Sequence, residues 1–184
     1  YVDTTCARSV TGHDNAEALY QHCKARDWPV FMVDDHEPFR FGPGRRVWSE
    51  KALVVAVIWG GFVVVLRFSV VAPEVPFLIS KYVFKRLATR IDLDDNVLEF
   101  KRFNNKTEPL YDLSSGHVTI ELVKENDKPP EVHQEALDLC KNGDEVTVND
   151  PEMRKRLADT KRWDNQTHVA QLPHYETQSV SFDL

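Results

Sequence analysis

Hydrophobic positions change their spacing several times along the chain, and each spacing predicts an element. In residues 14–26, Ala16, Leu19, Tyr20 and Cys23 form one apolar stripe of a helix. Asp14 and Glu17 have capping-box spacing, Lys24 and Arg26 suit the C-terminal end, and Pro29 stops the helix. Strand-like pieces follow at Val30–Val33, Phe39–Phe41 and Val47–Ser49, with Gly42-Pro43-Gly44 as the turn between the last two. Residues 52–66 are uncharged, until Arg67 interrupts. A membrane span needs about 20 apolar residues, so this run is short for one. It is rich in β-branched residues (Val54, Val55, Val57, Ile58, Val63, Val64, Val65) and is split by Gly60-Gly61, a two-residue turn signal. The prediction is therefore a β-hairpin over 52–71. Its alternation is poor, so both faces are expected to be covered.

Further along, Ser80 is placed to cap a short helix ending at Leu87. Ile91–Leu93 and Val97–Phe100 read as strands around an Asp94-Asp95-Asn96 turn, and His117–Val123 alternates with Val118, Ile120 and Leu122 on one face. Pro129-Pro130 marks a linker. A helix follows with Val132, Ala136, Leu139 and Cys140 on one face and Gly143 at its end. Asp150-Pro151 opens another helix, to about Arg162, and the last twenty residues read as an extended tail. The pattern gives a mainly β domain over 1–123 and an acidic helical extension over 124–184, an α+β class.

Charge supports that division. Residues 1–123 carry 15 basic and 16 acidic residues, whereas 124–184 carry 8 and 13, so most of the net −6 lies in the extension. An acidic chain is not expected to bind nucleic acid, and Arg45-Arg46 and Lys101-Arg102 are too short to make a basic patch. With 42% hydrophobic and 28% charged residues over 184 positions, the chain has the composition of a folded domain rather than a disordered one. Cys6, Cys23 and Cys140 are widely spaced, without a Cys-x-x-Cys pair, and read as reduced intracellular thiols. The sequons at Asn105 and Asn165 are read as chance tripeptides. The chain starts at Tyr1 without a targeting segment and reads as a processed product or a fragment of something longer.

Few constellations carry chemistry. Asp92-x-Asp94-x-Asn96 mimics a calcium loop, but Val97 and Phe103 stand where Gly and Glu are required, so a plain turn is expected. His22-Cys23 and Asp34-Asp35-His36 lack zinc spacing and are assigned to packing or surface roles. No metal or cofactor is called for. Val2-Asp3-Thr4-Thr5-Cys6 differs: an Asp after an apolar strand residue and before Thr is how an aspartic protease presents its carboxylate. Two such carboxylates share one proton, because like charges so close cannot both ionise; one acts as acid and the other activates water. With one such Asp, the chain could work only as a dimer.

The order of the surrounding segments resembles the retropepsin-like aspartic proteases of retroviral and retrotransposon polyproteins, over about two thirds of the chain. Val2-Asp3-Thr4-Thr5-Cys6 resembles their active-site turn. Phe39-Arg-Phe-Gly-Pro-Gly44 looks like the flap. The hairpin across Gly60-Gly61 looks like the barrel wall. Val75–Ser80 with Lys81–Leu87 resembles the apolar strand and helix that follow, and Ile91 onward the next strand pair. Ser115-Gly116-His117 is similar to a segment beyond the protease in some retrotransposon members. The resemblance implies a closed β-barrel, here incomplete at its N-terminus. It implies catalysis by Asp3 with Thr4 bracing, and a substrate flap containing Phe39, Phe41, Gly42 and Gly44.

Two departures bear on activity. Thr5 stands where the family has Gly, a residue that lets the backbone pass close to substrate and partner loop. Ser80 stands where it usually has Gly. The strands that normally precede the Asp are also not in the sequence. The expectation is a degenerate retropepsin-like domain acting as a structural or interaction subunit among the protein chains of a larger assembly. The alternative is an active homodimeric endopeptidase, with a peptide substrate closed over by residues 39–48. A nucleic-acid-associated retroelement relic is a third reading that the charge disfavours.

Overall fold

The uncharged run folds as a hairpin, and the rest of the molecule is built around it. The computed structural model describes residues 8–41 and 44–158. In chain order the elements are β1 (Val10–Gly12), α1 (His13–Lys24), β2 (Val30–Asp34), β3 (Pro38–Phe39), β4 (Val47–Trp48), β5 (Lys51–Trp59) and β6 (Phe62–Val71). Then come α2 (Lys81–Leu87), β7 (Thr89–Asp92), β8 (Val97–Phe100), a 3-10 turn (Lys101–Phe103), β9 (Lys106–Pro109), β10 (Tyr111–Asp112), β11 (Val118–Thr119), α3 (Gln134–Lys141) and β12 (Val146–Val148). Residues 151–158 are helical. The fold is α+β and mainly strands.

β5 and β6 pair from Lys51↔Val70 to Trp59↔Phe62. Gly60 and Gly61 turn the chain at φ +58° and +79°, the left-handed values a two-residue hairpin turn needs. A side chain at Gly60 would also meet Lys106 Cβ at 2.8 Å. The main sheet runs β1-β6-β5-β2, with β12 sharing the outer edge of β6. β12 pairs antiparallel with Val64–Leu66, and β1 pairs parallel with Ser69–Val71. Among the described residues the strands form four separate sheets, and no sheet closes into a barrel.

Both faces of the hairpin are covered, as its poor alternation implied. Leu53, Val55, Val57, Trp59, Val64, Leu66, Phe68 and Val70 share one core with Ala16 and Cys23 of α1 and with Val83, Phe84 and Leu87 of α2. Val54 and Val65 face the other way, against Ala136, Leu137 and Cys140 of α3. Val123 is thus no break in the packing: α3 and β12, both from the 124–184 segment, complete the central sheet and its outer face. Among the described residues no helix is long and apolar enough to cross a membrane.

Several local expectations need correction. α1 starts one residue early, with Gly12 as an extended N-cap and no side-chain cap, so the Asp14–Glu17 capping box does not form. Gly12 N–H is bonded to the Val75 carbonyl at 2.7 Å, which leaves Asp14 inside the first turn. Glu17 instead accepts from Gln21. The strand at 39–41 stops at Phe39. Of His117–Val123 only Val118–Thr119 is a strand; farther on, the Trp59 indole N–H bonds the Glu121 carbonyl at 3.3 Å. In α3, Leu137 is buried and Leu139 is 38% exposed, because position 139 lies about 100° around the helix from Cys140's side. The turn at 94–96 is a plain one, with Asp92 accepting from Asp94 and Asp95 N–H. Gly42, Pro43 and the tail beyond 158 lie outside the described residues.

Ser80 caps α2 as expected, accepting from Val83 N–H at 3.3 Å. Its hydroxyl also donates to Glu145 at 2.9 Å. Ser80→Ala removes the cap and one donor to that carboxylate together. The expected loss is about 1–2 kcal/mol, read as a lower midpoint in chemical denaturation.

Candidate functional site

Asp3, Thr4 and Thr5 lie outside the described residues. The chain that follows them does not, and its surroundings can be built from Arg8 onward. Val10 bridges Leu78 through two backbone hydrogen bonds, of 3.0 and 2.9 Å. On its other side β1 runs along β6. The segment after Asp3-Thr4-Thr5 is therefore clamped between the hairpin and the residues ahead of α2. Gly12 belongs in this slot because a Cβ there would sit 2.6 Å from Val75 N and 2.7 Å from the Pro73 carbonyl.

A polar ring secures the start of this segment. Ser9 N–H donates to Glu145 at 2.7 Å, Ser69 N–H to the Ser9 carbonyl at 3.0 Å, and Ser80 N–H to the Ser9 hydroxyl at 3.0 Å. Glu145 reaches it from the loop before β12, so the C-terminal extension buttresses the N-terminal strand.

The flap-like residues form a small hairpin, with Pro38 opposite Trp48 and Phe39 opposite Val47. Phe39 is buried, and its ring lies parallel to that of the more exposed Phe41 at 6.3 Å. Gly44 N–H bonds the Phe41 carbonyl at 3.2 Å; Gly42 lies outside the described residues. Val10, Phe39, Val71 and Val75 form one small core with Val47 and Leu78 against it. The segment following Asp3, the hairpin and residues 75–78 thus meet at a single cluster; the strand expected at 75–80 is only an isolated bridge from Leu78 to Val10.

A buried ionic network roots the hairpin. Arg67 donates to Asp35 at 2.8 Å, with both side chains more than nine-tenths buried. Asp35 also accepts from Ser69 at 2.6 Å and from Ser49 at 2.7 Å. The Ser49 hydroxyl accepts from Glu37 N–H at 2.9 Å, which ties both arms of the hairpin to one carboxylate. The other Arg67 nitrogen donates to the carbonyls of Cys140 and Lys141 at the end of α3. Burial pushes Asp35 towards protonation, but the three donors and the Arg67 charge outweigh it and hold the acid below its ordinary 3.8. Asp35 is therefore a fixed anion that organises the hairpin. Arg8 adds a more exposed pair with Glu37 at 3.0 Å.

In the sequence Asp34-Asp35-His36 reads as packing or surface residues, and nothing there marks Ser49, Ser69 or Glu145. Arg67 was the available signal: a lone charge inside a buried apolar strand requires a buried anion opposite. Burial pushes the Cys23 thiol up to about 11 despite nearby Arg26, which disfavours its thiolate. Cys23 and Cys140 are buried on opposite faces of the sheet, and the Cys140 thiol donates to the Val65 carbonyl at 3.4 Å. Compared with known proteins, the chain matches no protein-family model and no curated protein.

Proposed function

We propose that this chain is a retropepsin-like domain that has lost cleavage and serves as an interaction subunit of a larger protein assembly. One observation carries the reading: Val10, Phe39, Val71 and Val75, with Val47 and Leu78, pack as one cluster. It unites the segment after Val2-Asp3-Thr4-Thr5-Cys6, the flap-like hairpin and the apolar segment ahead of α2, the pieces on which the resemblance rests. In this reading the sheet β1-β6-β5-β2 is the wall of an incomplete retropepsin-like barrel. Thr5 stands where the resemblance implies a Gly that leaves room for substrate and a partner loop. The scaffold remains, and the 124–184 segment braces it through Glu145 and α3.

The second reading is a homodimeric aspartic endopeptidase. The firmly rooted hairpin favours it, because a closing flap needs a rigid base, and the Asp35–Arg67 network supplies one. Asp3 from each subunit would share a proton, one carboxylate activating water while the other protonates the leaving group. That chemistry calls for no metal or cofactor.

A peptide-cleavage assay at acidic pH on the full chain, paired with the native mass of the particle isolated from its source, separates the two. The first reading expects no cleavage that depends on Asp3, and a particle far heavier than twice 21.2 kDa. Thr5→Gly is then expected to create activity that Asp3→Asn abolishes. Cleavage by the natural chain, lost in Asp3→Asn, overturns the first reading.

A further inference from the structure

Beside the cluster of Val10, Phe39, Val71 and Val75, a cleft of about 390 Å³ opens between α1, the end of β6 and Trp48. Ala16, Met32, Val70 and Val71 give it an apolar lining. Three carboxylates stand on it: Asp14 and Glu17 one helical turn apart on α1, and Glu50 from the loop before β5. The one amine on the wall, Lys51, is turned to Asp34 in an ion pair. His13 contacts Asp14 at 3.1 Å. Trp48 is 46% exposed, and one face of its indole is stacked on His36 at 4.5 Å between centroids.

We propose that this cleft is a docking pocket for an arginine side chain of a partner protein. An aliphatic stem needs an apolar lining, a guanidinium binds carboxylates in a plane, and an indole face attracts a cation. The cleft offers all three together. A neutral or acidic side chain would leave Glu17 and Glu50 without a counter-charge, so charge complementarity selects the occupant. Arginine binding reads this pocket whether or not the chain cleaves.

Titration of the isotope-labelled full chain with N-acetyl-arginine methylamide, followed by NMR, tests the assignment. The Trp48 indole N–H resonance is expected to move saturably, and added salt to weaken the binding. The citrulline analogue, which keeps the shape and removes the charge, is expected to bind at least about tenfold more weakly. Trp48→Ala and the Glu17→Gln/Glu50→Gln pair alter exposed side chains, so they retain the fold; each is expected to reduce arginine affinity at least about tenfold. Equal binding of the two analogues overturns the proposal, as does unchanged affinity in both variants or no movement of the resonance. Movement on concentrating the chain alone, abolished by Arg45→Ala/Arg46→Ala, also overturns it, because a second copy of this chain is then the occupant.

Discussion

Asp35→Ala is expected to lower the unfolding free energy by about 3–5 kcal/mol, the largest loss from any single polar side chain described here. The substitution leaves the Arg67 guanidinium buried with only carbonyl partners, and it strips Ser49 and Ser69 of their shared acceptor. The denaturant midpoint reads the loss. The double variant Asp35→Leu/Arg67→Met is expected to recover most of it, since a buried ion pair replaced by apolar groups costs little compared with one broken in half. A double as unstable as the single would place the stabilisation in packing around the pair rather than in its charge.

The same carboxylate has a pH signature. Its native pKa is held below 3.8, so its stabilising contribution is fully present above that value. It drains away as the pH falls through the lower native value. Asp35→Asn is expected to flatten the acid limb of the stability curve in that window and to leave its neutral-to-basic course unaltered in shape.

Trp59→Ala is expected to cost a further large amount, about 3–5 kcal/mol. The indole is fully buried, stacks on Phe100 at 5.7 Å, and donates to the Glu121 carbonyl. It joins the long hairpin to the β7-β8-β9 sheet and to the segment after β11. Trp59→Phe keeps a ring in the core and loses the donor, so its cost is expected to be nearer 1 kcal/mol. Denaturation of the two variants side by side separates packing from hydrogen bonding; equal losses would contradict this division.

Local signals were legible in the sequence where a few adjacent residues carry the physics. Gly60-Gly61 between β-branched runs announced the hairpin, Ser80 announced α2, and Asp150-Pro151 the helix after β12, where Asp150 accepts from Met153 N–H at 2.8 Å. What was not legible depends on partners far along the chain. Val146-Thr147-Val148 is too short for any period to register, and its partners begin at Val64. β1 is equally short, and only its neighbours Ser69–Val71 and Leu78 make it a strand. The capping box failed for a related reason: a tertiary hydrogen bond from Gly12 to Val75 decided where α1 begins. Near the candidate site, the pairing of β3 with β4 was legible from the Gly42-Pro43-Gly44 signal between two strand-like pieces. Asp35 was passed over because the acid at 35 and the base at 67 mean nothing until the sheet brings them together.

The shared edge of β6 has a consequence for synthesis. Its two halves are claimed by strands from opposite parts of the chain, β1 from before it and β12 from well after it. As the protein leaves the ribosome, β5 and β6 zip at once and β1 can close the Ser69–Val71 half. The Val64–Leu66 half, and the apolar face that α3 will cover, must wait until residue 146 has emerged, 80 positions after its partner Leu66. At ordinary elongation speeds that interval lasts roughly 4–16 s. During it the nascent chain carries an open valine-rich edge of the kind that pairs with neighbouring chains, so slower elongation lengthens the exposure of that edge.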